Sequence, residues 1–318
     1  MKPLRQVFGE TLARLGAEIP ELVVLDADVS KSTKTSIFAK AYPDRFHDMG
    51  ISEQDMLATA AGLATTGMIP VASTFAIFGT GRAWEQLRNS VCYPSLNVKL
   101  VATHGGITVG QDGGSHQSVE DLATTRVIPN LRVIVPADGR ETAQVIEHIV
   151  REVNAPCYVR LPRDGTPDVH DENYTFALGK ASRLREGQDI TLCACGVMVS
   201  VAIEAAKALQ AEGISAAVLN ISSLKPIDEE ALIQAARKTG ALLTLEEHSV
   251  IGGLGGAVCE VVSGVLPVPV VRIGLDDLFG QSGSADELLG HYGLTVTHAI
   301  AGAKEAIALK AESNPMRW

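Results

Sequence analysis

The chain runs to 318 residues, room for about two domains each with its own core. Hydrophobic residues at 46% against 20% charged describe a globular protein and exclude a disordered one, and an aromatic content of 4% leaves the core to aliphatic side chains. A formal net charge of −10 argues against nucleic acid or an anionic membrane as the main partner, so any anionic ligand has to be gripped locally.

The first residues, Met1-Lys2-Pro3-Leu4-Arg5-Gln6, lack the continuous apolar stretch of a secretory leader, and no apolar run is long enough to span a bilayer. The cytoplasm is the expected compartment. Cys92, Cys157, Cys193, Cys195 and Cys259 form no Cys-x-x-Cys pair and sit among mostly apolar neighbours, which reads as buried, reduced thiols.

In chain order, Leu4–Gly16 predicts an amphipathic helix carrying Arg5, and Leu22–Asp28 an apolar strand ending in acid. Lys31–Lys40, rich in Ser and Thr, reads as a loop or short helix, and Phe46–Asp48 as a short strand. Ser52 is a candidate N-cap, with Asp55 three residues on, for the Ala- and Leu-rich helix through Thr66. Ile69–Ser73 is a strand, Gly81–Cys92 a helix, and Val98–Thr103 a strand running into a glycine-rich loop from His104 to Gln117. Strand Leu131–Val135, helix Arg140–Val153 and strand Cys157–Leu161 complete the first half. This alternation predicts a parallel sheet covered by helices on both faces, with a ligand crevice at the carboxyl ends of its strands.

From Arg163 to Asp189 the periodicity fails amid Pro, Gly and charged residues, and residues 166–188 read as a linker between domains spanning 1–165 and 189–318. Beyond it, strands at Ile190–Ala194, Ala216–Leu219, Ala241–Glu246 and Val268–Ile273 alternate with helices near Ser200–Glu212, Glu229–Thr239 and Gly256–Gly264. A smaller second α/β domain accounts for them.

Chemistry concentrates in few places. Glu53 opens a helix, where a carboxylate is ordinary because it opposes the positive end of the dipole; it gains interest from what else reaches the crevice. Phe75 and Phe78 follow one strand, and the loop with His104, Asp112 and His116 follows another. Those three loop residues match no common zinc spacing, and no metal site is expected. Gly252-Gly-Leu-Gly-Gly256 fails the dinucleotide pattern and reads as close helix packing. Arg5 and Arg163, with Ser32 and His104, are candidates for an oxyanion pocket.

The order Gly50-Ile-Ser-Glu53-Gln, Ser73-Thr-Phe75-Ala-Ile-Phe78, Thr103-His104, Gly110-Gln-Asp112-Gly-Gly-Ser-His116-Gln and Leu161-Pro-Arg163 resembles the carboxy-terminal half of transketolase. It is similar, nearly as closely, to the matching part of 1-deoxyxylulose-5-phosphate synthase; both are thiamine-diphosphate enzymes. The resemblance covers the whole chain. It implies an α/β fold in which a pyrimidine-binding parallel-sheet domain precedes a smaller α/β transketolase C-terminal domain carrying Glu246-Glu-His-Ser-Val-Ile-Gly-Gly253. It further implies that Glu53 hydrogen-bonds N1′ of the aminopyrimidine and promotes its imino tautomer, that Phe78 stacks on that ring, and that Phe75 shapes its pocket. Asp112 would recognise a substrate hydroxyl and His116 stabilise the intermediate. Arg5, Ser32, His104 and Arg163 would grip a sugar phosphate. Glu53, His116 and His104 are the expected catalytic residues. Gly81 stands where transketolase usually has tyrosine and the synthase arginine.

The family binds Mg²⁺ and the diphosphate through a Gly-Asp-Gly…Asn segment, and no Gly-Asp-Gly occurs in this sequence. The resemblance therefore implies half of a split enzyme, whose partner is an N-terminal subunit that supplies the diphosphate domain and most of the Mg²⁺ site, most simply as α2β2. The expected activity is transfer of a two-carbon ketol unit between ketose and aldose phosphates. The alternatives are a deoxyxylulose-phosphate-synthase-like condensation and a noncatalytic stabilising or regulatory subunit.

Overall fold

A computed structural model describes residues 1–312; the tail of the expected C-terminal domain, residues 313–318, lies outside the described residues. Helix α1 (Leu4–Glu18) buries Leu4, Phe8, Leu12 and Leu15, spaced at helical intervals, on one face. Strand β1 (Leu22–Asp26), short helices α2 (Ser30–Thr33) and α3 (Ser36–Ala41), strand β2 (Phe46–Asp48), helix α4 (Glu53–Thr65) and strand β3 (Ile69–Ser73) follow. Where the sequence predicts one helix over Gly81–Cys92, two π-helical segments occur, Phe78–Arg82 and Gln86–Cys92. Gly79 and Gly81 weaken an α-helical turn there, and such widened turns gather at functional sites. Strand β4 (Lys99–Ala102), helix α5 (Asp121–Arg126), strand β5 (Arg132–Ile134), helix α6 (Gly139–Arg151) and strand β6 (Cys157–Arg160) finish the first half. Asp138 caps α6, its side chain accepting the Glu141 N–H at 2.8 Å.

The second half comprises β7 (Ser182–Arg185), β8 (Ile190–Ala194), α7 (Met198–Ala211), β9 (Ala216–Asn220), β10 (Ser223–Lys225), α8 (Glu229–Thr239), β11 (Leu242–Ser249), α9 (Leu254–Val265), β12 (Val270–Leu275), α10 (Ala285–His291) and α11 (Val296–Glu312). Four of these, β7, β10, α10 and α11, have no counterpart in the sequence reading, and α5 has none in the first half.

The first sheet has seven strands in the order β10-β5-β6-β4-β3-β1-β2, and all its pairings are parallel except β10 on β5. The second is ordered β12-β11-β8-β9-β7 and is parallel except where β7 closes its edge against β9. Thus β7 falls within the stretch read as linker, and β10 crosses from the second half to extend the first sheet. Successive residues of each strand face opposite layers. Val24, Val71, Val101, Ile134 and Val159 pack beneath α1 and α6. Leu25, Ala72, Leu100 and Val133 pack on the other side, in a core that continues into Leu219, Leu232, Leu242 and Val258 of the second half. Both faces of the parallel strands are buried, as crossover helices require.

Candidate active site

The carboxyl ends of β1, β3, β4 and β6 open onto one crevice. The chain leaving β2 is shaped by the Asp48 side chain, which accepts N–H groups from Gly50 at 3.0 Å and Asp28 at 3.1 Å, with Gly50 at φ +68°. Residue 53 then opens α4 directly. Ser52 occupies the N-cap position, but its side chain makes no capping hydrogen bond, so the expected cap is absent. Glu53 is 4% exposed, and its Oε1 accepts from Arg82 Nη1 at 3.2 Å. The Arg82 guanidinium also lies 4.1 Å above the Phe78 ring centroid. A cavity of about 350 Å³ opens here, lined by Ile51, Ser52, Glu53, Gln54 and Arg82. Sequence reasoning passed over Arg82 in favour of Gly81; the four-residue spacing from Phe78 was the available signal.

Phe75 and Phe78 lie 5.7 Å apart and near parallel at 18°. His104 stacks on Phe75 at 3.8 Å, and His116 stands edge-on to Phe78 at 5.5 Å. The backbone of His104 is held at φ +60°, a costly conformation for histidine. It is fixed from the Thr103 side, where the carbonyl accepts the Ala76 N–H at 2.8 Å and Oγ1 meets His104 Nδ1 at 2.8 Å. Burial, then the cations Arg5 and Arg163, push the His104 imidazole down to about 3, so it is neutral near pH 7.

The cations converge from opposite ends of the first half. Arg5 on α1 donates through Nη1 to the Ser32 carbonyl at 2.8 Å, while its buried Nε has no partner. Burial, followed by the nearby charge of Arg163, lowers the Arg5 pKa. Arg163, just past β6, donates to the Val109 carbonyl at 2.8 Å and lies 3.7 Å from the Asp112 carboxylate. Two facing arginines, one with an unsatisfied buried N–H, suit an oxyanion. All nine residues singled out from the sequence therefore line or flank one crevice, although Ser32 enters the contacts through its backbone carbonyl.

The second half braces this crevice through three consecutive residues at the end of β11. Glu246 accepts the Leu254 and Gly255 N–H groups at 2.6 and 2.8 Å, capping α9. Glu247 accepts the Thr108 N–H of the glycine-rich loop at 2.6 Å. His248 Nε2 accepts from Leu122 and Ala123 at 3.2 and 3.3 Å, capping α5. Burial raises the pKa of both glutamates. Two glycines are fixed by this arrangement. A Cβ on Gly106, at φ +84°, would lie 2.2 Å from the Glu247 carboxyl carbon, and one on Gly253 would lie 1.9 Å from Glu246 Oε2. Beneath them Arg160 pairs with Asp121 at 2.9 Å and donates to the Glu247 carbonyl at 2.7 Å. Among the described residues, no three His, Cys, Asp or Glu side chains gather closely enough to hold a metal ion.

Over residues 1–168 the chain matches the family model of the transketolase pyrimidine binding domain, and over residues 179–299 that of the transketolase C-terminal domain. The chain belongs to the transketolase family. A relative from Methanocaldococcus jannaschii, named putative transketolase C-terminal section, is 51% identical over 296 residues, covering 92% of this chain and 92% of its own length. The 6-deoxy-6-sulfo-D-fructose transketolase subunit SqwH from Clostridium sp. (strain MSTE9) is 40% identical, over 96% of this chain and 95% of its own length. A solved structure described as a split gene transketolase, inactive beta4 tetramer, has a TM-score of 0.91 and 52% identity, over 98% of this chain and 100% of that one. This transketolase-family chain thus matches split subunits along nearly its whole length. Its pyrimidine-binding domain implies dependence on thiamine diphosphate. Among the described residues no helix is long and apolar enough to cross a membrane.

Proposed function

We propose that this chain is the C-terminal subunit of a two-chain transketolase, transferring a two-carbon ketol unit from a ketose phosphate to an aldose phosphate. The observation that carries the reading is the convergence of buried Glu53, the Phe75–Phe78 pair and the Arg5–Arg163 pair on one crevice, in a chain with no Gly-Asp-Gly. The crevice fits the cofactor's uncharged end: a buried carboxylate faces a cavity beside two near-parallel rings. When bound, thiamine diphosphate supplies the nucleophilic carbon that carries the two-carbon unit between sugars. Glu53 holds a proton at the aminopyrimidine N1′, a role that water would weaken and burial protects. Phe78 offers a ring face to the aminopyrimidine and Phe75 walls the pocket. Neutral His104 offers a hydrogen bond to substrate oxygen without adding charge, and His116, edge-on to Phe78, steadies the reacting group. Asp112 accepts from a substrate hydroxyl, and Arg5, Ser32 and Arg163 hold the phosphate.

The partner is an N-terminal transketolase subunit that brings the diphosphate domain and most of the Mg²⁺ site, in an α2β2 assembly. Exposed apolar residues support a covering chain: Ile51, lining the Glu53 cavity, is 76% exposed, and Phe279 in the second half is 86% exposed. The division into residues 1–165, 166–188 and 189–318 belongs to the same proposal, as does a cytoplasmic location, which suits five free thiols, four of them buried.

The test is reconstitution with the diphosphate-domain chain, Mg²⁺ and thiamine diphosphate, followed by a ketol-transfer assay between phosphorylated sugars. Transfer that requires both chains supports the reading. Condensation of pyruvate with a triose phosphate and no ketol transfer would replace it with the synthase-like activity, and an equally active complex containing Glu53→Gln would reduce this chain to a noncatalytic support.

A further inference from the structure

We infer that Arg82 is an internal placeholder for the cofactor's aminopyrimidine: its guanidinium takes both of that ring's contacts in the unliganded chain and leaves when the ring binds. The inference rests on the proposed cofactor site. Arg82 makes the two interactions the ring needs, a hydrogen bond to Glu53 at 3.2 Å and a stack on Phe78 at 4.1 Å, so both groups cannot occupy the seat together.

The physical need for a placeholder comes from Glu53, whose side chain is 5% exposed. A carboxylate that deep is costly without a partner, and Arg82 provides one until the ring arrives. Arg82 has somewhere to go, because its own side chain is 53% exposed and borders the open cavity next to Glu53. Its backbone belongs to the five-residue π-helical segment Phe78–Arg82 rather than to a long regular helix. Exchange has a chemical consequence. With Arg82 seated, the Glu53 carboxylate oxygen is taken by the guanidinium; with Arg82 displaced, that oxygen is free to meet the ring nitrogen. Arg82 thereby ties the availability of Glu53 to cofactor occupancy.

The test uses the full chain, alone and assembled with its partner, as wild type, Arg82→Met and Phe78→Ala. Calorimetric titration employs two probes: 4-amino-5-hydroxymethyl-2-methylpyrimidine, which carries only the ring, and thiamine diphosphate with Mg²⁺. Methionine keeps an apolar stem but cannot pair with Glu53. Losing a half-buried ion pair and a cation–π contact that compete for the seat should tighten binding of both probes by about three- to tenfold. Phe78→Ala should weaken both. Equal or weaker binding by Arg82→Met, with wild type binding normally and Phe78→Ala impaired, overturns the placeholder and leaves the cofactor site standing. If neither wild type nor Arg82→Met binds either probe in the assembled complex, the cofactor site itself fails and the placeholder falls with it.

Discussion

Glu53 occupies the first turn of α4, yet it is nearly inaccessible to water and pairs with a single arginine. If that carboxyl shares a proton with the cofactor ring, Glu53→Gln in the assembled enzyme lowers kcat by about a hundredfold or more while leaving fold and assembly intact. Near wild-type turnover by the purified complex would remove Glu53 from the chemistry. Arg5 and Arg163 invite a different comparison. Charge-assisted hydrogen bonds contribute about 1.5–3 kcal/mol, so alanine at either position should raise KM roughly tenfold or more for phosphorylated sugars and far less for unphosphorylated ones. Equal effects on both substrate classes would make these arginines structural. His104 adds a pH dependence of known sign. Its folded value of about 3 lies below the 6.5 of an ordinary imidazole, so the unfolded chain takes up a proton that the folded chain refuses. The stabilisation is complete above pH 6.5 and is lost as pH falls toward 3. Asp26, raised by burial to about 6 from 3.8, acts oppositely: its contribution is lost as pH rises through that interval. Comparing wild type with His104→Gln cancels the Asp26 effect. The stability advantage of wild type should shrink between pH 6.5 and about 4 in denaturant titrations, and a difference independent of pH would contradict the assignment. At this scale most of the crevice was legible because its residue types occur in a recognisable order. Arg82 was not, because the four-residue spacing from Phe78 hinted only at the stacking contact, and its contact with Glu53, 29 residues away, left no local pattern.

The glycine-rich loop shows how elements cooperate. In the fold Gly106 makes room for the Glu247 carboxyl, 139 residues from the Thr108 N–H it accepts. The Glu246-Glu247-His248 run was visible as a motif, but its work is tertiary: it joins α9, the loop and α5 at one corner. Removing Glu247 leaves a buried N–H unpaired and loosens the loop that carries Asp112 and His116. Glu247→Ala should therefore cost about 1–3 kcal/mol in denaturant titration and raise KM for sugar substrates, whereas Glu247→Gln, which retains an acceptor, should lose much less. Indistinguishable stability and KM in the alanine variant would show that the loop is held by other contacts, such as the Gln117 amide, which donates to the Ile107 and Gly110 carbonyls at 3.2 Å. Helices with clear periodicity, such as α1 and α6, emerged from the sequence to within a few residues. The π-helical segments did not, because apolar spacing cannot distinguish a widened turn from an α-helical one. Strand β7, of four residues, was hidden in polar sequence because it is only half covered at a sheet edge.

Across the whole molecule, β10 and the shared core bind the two halves together. That feature was illegible because a three-residue strand joining a sheet made earlier in the chain leaves no local pattern. What the sequence did reveal at this scale was an omission: it contains the residues proposed for the cofactor's ring and the sugar, but no Gly-Asp-Gly segment of the kind proposed to hold the diphosphate and Mg²⁺. The most direct measurement is calorimetric titration of thiamine diphosphate with Mg²⁺ into the chain alone and into its mixture with the diphosphate-domain subunit, with mass measured in solution. The expected result is weak binding by the lone chain, and tight binding by a two-plus-two complex that alone transfers ketol units. Tight cofactor binding and full activity by the lone chain would contradict the split-enzyme account.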